Sequence, residues 1–184
     1  MPPTPDRQLE ERILKAAQRL WRSHGESGLT LRAVAREAST TTPTVYKRFR
    51  NKKAIQTALA WRFKDQLNEQ LFSAPTLEEI YRRYLRFAEE HPHEYELLWR
   101  SWTQVFHPKG PRPFRAWFLS QMAARFGGNP EDHGHAFYAL LLLTHGAATM
   151  LGVEEGDEVA RAEVRENFSA ICDALLKNEK IFRS

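Results

Sequence analysis

Cysteine occurs once in the 184 residues, at Cys172. A single thiol excludes an internal disulfide and a thiolate-rich metal centre, and it suits a reducing compartment. Cys172 is expected in the core, where an isolated cysteine behaves as a small hydrophobe. Long apolar runs are missing too. Nothing approaches the roughly 18 consecutive apolar residues that a membrane span needs, and the opening stretch MPPTPDRQLEER has no apolar core of the secretory kind. The expected compartment is therefore the cytoplasm, with no membrane partner. No stretch alternates apolar and polar residues as a half-buried strand does, and there is no internal repeat. Enzyme signatures are lacking as well: no Gly-x-Ser-x-Gly, no phosphate-cradling glycine loop and no His-Glu-x-x-His. The chain is thus expected not to be an enzyme. Two of the histidine pairs, His91-x-His93 and His133-x-His135, offer too few ligands in too loose a pattern for zinc. The histidines are expected on the surface, and no metal or cofactor is expected.

The residues that are present describe a folding chain with an uneven charge. Charged residues make up 27% and apolar ones 42%, which is the composition of a globular protein and not of a disordered one. The net charge of +4 conceals a division along the chain. Residues 1 to 64 carry 14 Lys/Arg against 5 Asp/Glu, whereas residues 65 to 184 carry 13 against 18. A basic block followed by an acidic remainder assigns any contact with a polyanion to the N-terminal part.

Apolar spacing is helical throughout. Leu9, Ile13, Ala16, Ala17, Leu20 and Trp21 recur at three and four and predict a first helix ending at His24-Gly25. Thr30 is suited to cap a short second helix bearing Leu31, Val34, Ala35 and Ala38. Pro43 belongs in the first turn of a third helix, with Thr41 or Thr42 as its cap, running to about Phe49. Asn51 can cap a fourth helix, about 52–72. Beyond it, Leu77 to Ala88 and Tyr95 to Phe106 form further stripes, and the last helical stretches are His135 to Leu151 and Val159 to Lys177. The runs 107–113, 127–130 and 152–157 are expected loops, rich in residues that stop helices. The fold class is all-α.

Two short helices across a tight turn, the second polar on its outer face, describe a helix-turn-helix whose second helix can enter the major groove. Ile13-Leu14-Lys15-Ala16-Ala17, Gly25, Thr30, Val34-Ala35, Ala38, Thr41-Thr42-Pro43-Thr44-Val45-Tyr46-Lys47-Arg48-Phe49 and Lys52 together resemble the TetR family of bacterial regulators. That resemblance implies a three-helix DNA-binding domain over residues 1–52, joined by the fourth helix to a helical ligand-binding and dimerisation domain over 74–184. Thr42, Pro43, Thr44 and Lys47 would start the recognition helix, with Lys47 the best placed for a guanine. Tyr46 and Thr30 would hold phosphates, with Thr41 at the helix start and Lys52 at the start of the fourth helix; Arg48 and Lys53 extend the basic patch. One departure stands out. The family usually has Gly-Val-Ser in the turn, and this chain has Ser39-Thr40-Thr41, which puts a side chain where a positive φ is often needed.

Aromatic residues crowd the stretch from Trp99 to Tyr138. The resemblance implies an apolar or aromatic small-molecule ligand here, with Trp99, Trp102, Phe106, Phe118 and Tyr138 as candidate liners, although taken one by one these residues fit equally the filling of a helical core. It also implies a homodimer through helices 135–151 and 159–177 and a near-palindromic double-stranded operator. The function expected is a repressor that releases its operator when the ligand binds. A regulator that activates or takes no ligand, or a protein that coats DNA without sequence preference, fits the same residues.

Overall fold

The computed structural model describes residues 5–106, 111–153 and 156–183. The expected loop positions 107–110 and 154–155 lie outside these. Among the described residues the chain forms ten α-helices and no strand: α1 (Pro5–Gly28), α2 (Leu31–Glu37), α3 (Thr42–Arg48), α4 (Lys52–Phe72), α5 (Leu77–Glu90), α6 (Pro92–Arg100), α7 (Trp102–Val105), α8 (Pro113–Phe126), α9 (Gly134–Val153) and α10 (Glu158–Lys177). Two 3-10 turns, Pro130–His133 and Glu179–Phe182, precede α9 and follow α10. The all-helical class read from the periodicity is what forms. None of the described helices is long and apolar enough to cross a membrane.

The chain packs as two compact units. Among the described residues, the first joins those up to Gln66 to a later segment starting at His93, which holds α7 and all of α6 but its first residue; the second takes Leu67–Pro92 and the described residues from α8 onward. The division inside α4 falls at Gln66, six residues before that helix ends.

In the first unit, Ile13, Ala16, Ala17 and Trp21 of α1 meet Val34 of α2, Val45 of α3 and Ile55, Leu59 and Phe63 of α4 in a fully buried core. Helix α1 breaks at Gly25, as the sequence predicts, and the residue is required there twice. Its φ is 57°, a conformation that a side chain resists, and a β-carbon would stand 3.0 Å from the His93 ring. The stripe from Tyr95 to Phe106 is not one helix. It breaks at Ser101, whose N–H bonds back to Leu97 and Leu98 at 3.0 and 3.2 Å, the tightening that ends α6.

In the second unit α9 packs against α5 and α10. Helix α5 buries Ile80, Tyr81, Tyr84, Leu85 and Ala88 on one face, and Cys172 of α10 is in the core as expected. One expectation is overturned. His133 is not a surface histidine but completely buried, with Nδ1 bonded to the buried Glu179 carboxylate and Nε2 3.0 Å from the Gly127 carbonyl. Arg183 closes the group by donating to Glu179 at 3.0 Å, so the buried carboxylate has one charged partner beside its bond to the His133 ring.

Candidate nucleic-acid interface

The helix-turn-helix is set by local signals. Thr30 caps α2, its Oγ1 accepting the Ala33 N–H at 3.1 Å. The helix ends at Glu37 with Ala38 as its cap, and the next two N–H groups fold back: Ser39 donates to Arg36 at 3.1 Å and Thr40 to Ala35 at 2.9 Å. This double return is a Schellman closure, and it places Ser39 at φ 50° in the left-handed region. The turn therefore keeps the backbone that glycine would adopt freely, with serine in it.

Thr41, not Thr42, caps α3. Its Oγ1 lies 3.4 Å from the Thr44 N–H and 2.8 Å from the Thr44 hydroxyl. Pro43 sits in the first turn, where no N–H is needed. Val45 and Phe49 point into the core and fix the roll of α3. Pro43, Tyr46 and Lys47 are thereby turned outward, with Thr42, Thr44 and Arg48 half-exposed beside them. Tyr46 is 53% exposed. Asn51 caps α4, accepting the Ala54 N–H at 2.9 Å. Lys53 is exposed. Lys52 is tied within the protein, donating from Nζ to the Glu26 carbonyl oxygen at 2.9 Å. The acidic neighbours are neutralised internally. Glu37 pairs with Arg19 at 2.7 Å, and hydrogen bonds from Arg100 and Gln56 hold the Glu26 carboxyl below its usual range.

A second set of contacts, which the sequence reading did not identify, braces this head from residues 93–104. The Trp21 indole N–H donates to the His93 carbonyl at 2.7 Å. Arg22 Nε donates at 2.6 Å to Glu94, whose carboxylate is buried, and Arg22 also reaches Gln66 at 3.3 Å. Arg100 pairs with Glu26, and the Thr57 hydroxyl donates to Gln104 at 3.4 Å. No short-range pattern announces these pairs, because the partners lie 44 to 74 positions apart.

The five candidate ligand liners fall into two groups. Trp99, Trp102 and Phe106 belong to the first unit, where Trp99 and Trp102 stack at 4.6 Å and 4° and Phe106 lies 4.9 Å from Trp102. Phe118 belongs to the second unit and lines a narrow cavity of about 40 Å³ between α5, α8 and α9. Tyr138 is in the same unit, its hydroxyl 3.4 Å from Arg112. Elsewhere in that unit α9 and α10 present an apolar face. Leu142, Met150 and Ile171 are each half or more exposed, and they flank a groove of about 660 Å³ floored by Gly146, Ala147 and Phe168.

An outward-facing polar recognition helix, held by two caps and a buried valine on a basic helical unit and followed by a larger helical unit, defines a helix-turn-helix DNA-binding regulator. Sequence models agree: "Bacterial regulatory proteins, tetR family" matches residues 13–59, and "Tetracyclin repressor-like, C-terminal domain" matches residues 77–175, more than half of the chain. The chain belongs to the TetR family of transcriptional regulators. Solved structures share its fold. A TetR variant, Q116A, from Acinetobacter baumannii AYE, solved with minocycline, superposes with a TM-score of 0.67 at 19% identity, covering 94% of this chain and 96% of that one. The transcriptional regulator SCO7222 from Streptomyces coelicolor gives 0.67 at 22% identity, covering 95% and 98%. A protein from Rhodococcus sp. RHA1 gives 0.68 at 21%, covering 92% and 94%. No curated protein matches the chain in sequence.

Proposed function

We propose that the protein is a homodimeric repressor that releases a near-palindromic operator when a small apolar or aromatic molecule binds its C-terminal part. The observation that carries the DNA side of this reading is the outer face of α3. Tyr46, Lys47 and Pro43 are exposed there, and neither Tyr46 nor Lys47 takes part in the caps of α3 or the core beneath it, so that face is open to a partner. Lys47 reads a base edge, with Thr42, Pro43 and Thr44 around it, while Tyr46 and Thr30 hold phosphates and Thr41 sets the start of the helix. Lys53 and Arg48 add to the positive field. Lys52 keeps its bond to Glu26 and turns its remaining ammonium N–H groups to a phosphate.

The exposed apolar face of α9 and α10 supports the dimer, because a patch of that character on a monomer would be costly to leave in water. Two copies joined there present two heads to successive major grooves. The response to ligand is a change in the spacing of the heads, bending near Arg62–Gln66, where the two units part within α4.

Selection from random duplex DNA at near-physiological salt, with size-exclusion mass measured on the complex, tests this. A palindrome bound by a dimer is expected. Binding without an enriched sequence and with a steep salt dependence would instead identify a protein that coats DNA.

A further inference from the structure

The narrow cavity of the second unit says more about its ligand than its size suggests. Tyr81 and Tyr84 of α5, Phe114 and Phe118 of α8, and Phe137 and Thr144 of α9 line it with aliphatic neighbours, and every lining side chain is uncharged. A charged ligand entering it would lose its hydration and find no counter-ion among the lining side chains. Two of the polar groups are already committed as donors. The Thr144 hydroxyl donates to the Leu140 carbonyl at 2.7 Å, and the Tyr81 hydroxyl donates to Asp173, with Arg82 behind it at 3.4 Å. Both oxygens retain lone pairs, so either one, where a ligand reaches it, can only accept.

From this we infer that the cavity is the effector site and that it takes a neutral aromatic molecule bearing a hydrogen-bond donor, of the phenol or indole class. The inference rests on the ligand-responsive reading above. At about 40 Å³ the cavity is roughly a quarter of the volume, about 150 Å³, of an apolar protein cavity that holds benzene. Entry therefore requires rings to move. Phe118 is buried between Phe114 and Phe137, at 6.2 and 5.4 Å, whereas those two are half-exposed. They are the rings that swing outward. The site is also connected to the head by the chain itself: α5 leads into the braced segment starting at His93, and α8 follows that segment. A ligand that parts α5 from α8 shifts both ends of that segment.

Calorimetric titration of the full-length protein with p-cresol and indole, beside toluene, benzoate and benzylammonium, tests the site. The two donors are expected to bind about 10-fold more tightly than toluene and at least ~100-fold more tightly than either ion. Phe137→Ala, with its room already made, is expected to bind p-cresol several-fold more tightly, and Thr144→Val to lose the preference for p-cresol over toluene. Equal binding of p-cresol and toluene by the wild type, equal binding of the ions, or no ring bound by either the wild type or Phe137→Ala would overturn the assignment. If the rings bind as expected but operator affinity stays constant, the site stands and the ligand-responsive reading falls. If operator binding is selective and no ring binds, the site falls alone.

Discussion

Replacing Ser39 with glycine is expected to stabilise the protein. Ser39 stands at φ 50° in the turn between α2 and α3, where a residue with a β-carbon crowds its own carbonyl at a cost of roughly 1–2 kcal/mol. Glycine removes that cost but is freer in the unfolded chain, which returns about 0.5–1 kcal/mol. The difference leaves a gain of about 0.5–1 kcal/mol. Nothing else in the turn is disturbed, because Ser39 is exposed and the two bonds that close the turn are made by backbone N–H groups. For a chain of this length 1 kcal/mol moves the melting temperature by about 2–4 °C, so the expected rise is about 1–4 °C. Thermal melts followed by circular dichroism, with a urea midpoint that rises at unchanged slope, would show it. Ser39→Val, branched at the β-carbon in the same conformation, should move both readings the other way. A Ser39→Gly variant that melts at or below the wild-type temperature would refute the claim that strain is stored in this turn.

Lys47→Ala is expected to relax preference at one or two operator positions by about 1–3 kcal/mol, read by competition with single-base variants; unchanged preference would remove Lys47 from the base-reading residues. Tyr46→Phe should weaken binding to all sequences alike, by about 0.5–1.5 kcal/mol, for the loss of a phosphate hydrogen bond, and a sequence-dependent loss would contradict that role. Arg22→Met leaves the buried Glu94 carboxylate without its 2.6 Å partner and should cost about 1–3 kcal/mol in urea unfolding; adding Glu94→Gln should restore part of it, and no restoration would mean the pair is not the cause. Burial, with Asp173 beside it, pushes the Cys172 thiol up from 9.0 to about 12. The unfolded chain ionises this thiol first, so its contribution is complete below pH 9 and is lost as pH rises from 9 towards 12. Iodoacetamide at pH 8 should accordingly spare the native protein and label it once unfolded; stoichiometric labelling of the native form would show that the thiol is open.

The head was legible because its signals are short. Thr30 and Asn51 cap the helices they precede in sequence, Pro43 marks the first turn of α3, and the fourth helix ends at Phe72. Each of these depends on residues within one or two turns of one another. What the periodicity could not provide was the company each helix keeps. Trp99, Trp102 and Phe106 read as part of the same aromatic crowd as Phe118, because they follow one another along the chain. Packing places the first three with α1 and α4 in one unit and Phe118 in the other, and the deciding contacts, such as Trp21 with His93, span 72 positions. His133 was misread for a related reason. Its partner Glu179 lies 46 positions away in a 3-10 turn too short to leave a periodic trace.

The bond from the Trp21 indole to His93 bears on the order in which the head can be made. During synthesis α1 is made long before residue 93 exists, so the buried indole N–H and the arginine beside it wait for the second half of the chain. The head reaches its final form only when α6 arrives, which is before α8 to α10 of the second unit have been made. The same dependence bears on chimaeras. A head cut from this chain within α4 and grafted onto another sensor leaves Trp21 and Arg22 facing whatever segment the new partner supplies in place of His93 and Glu94. A graft that carries residues 93–104 with it keeps both partners, and the two junctions flanking that segment then become the place to choose the new sensor.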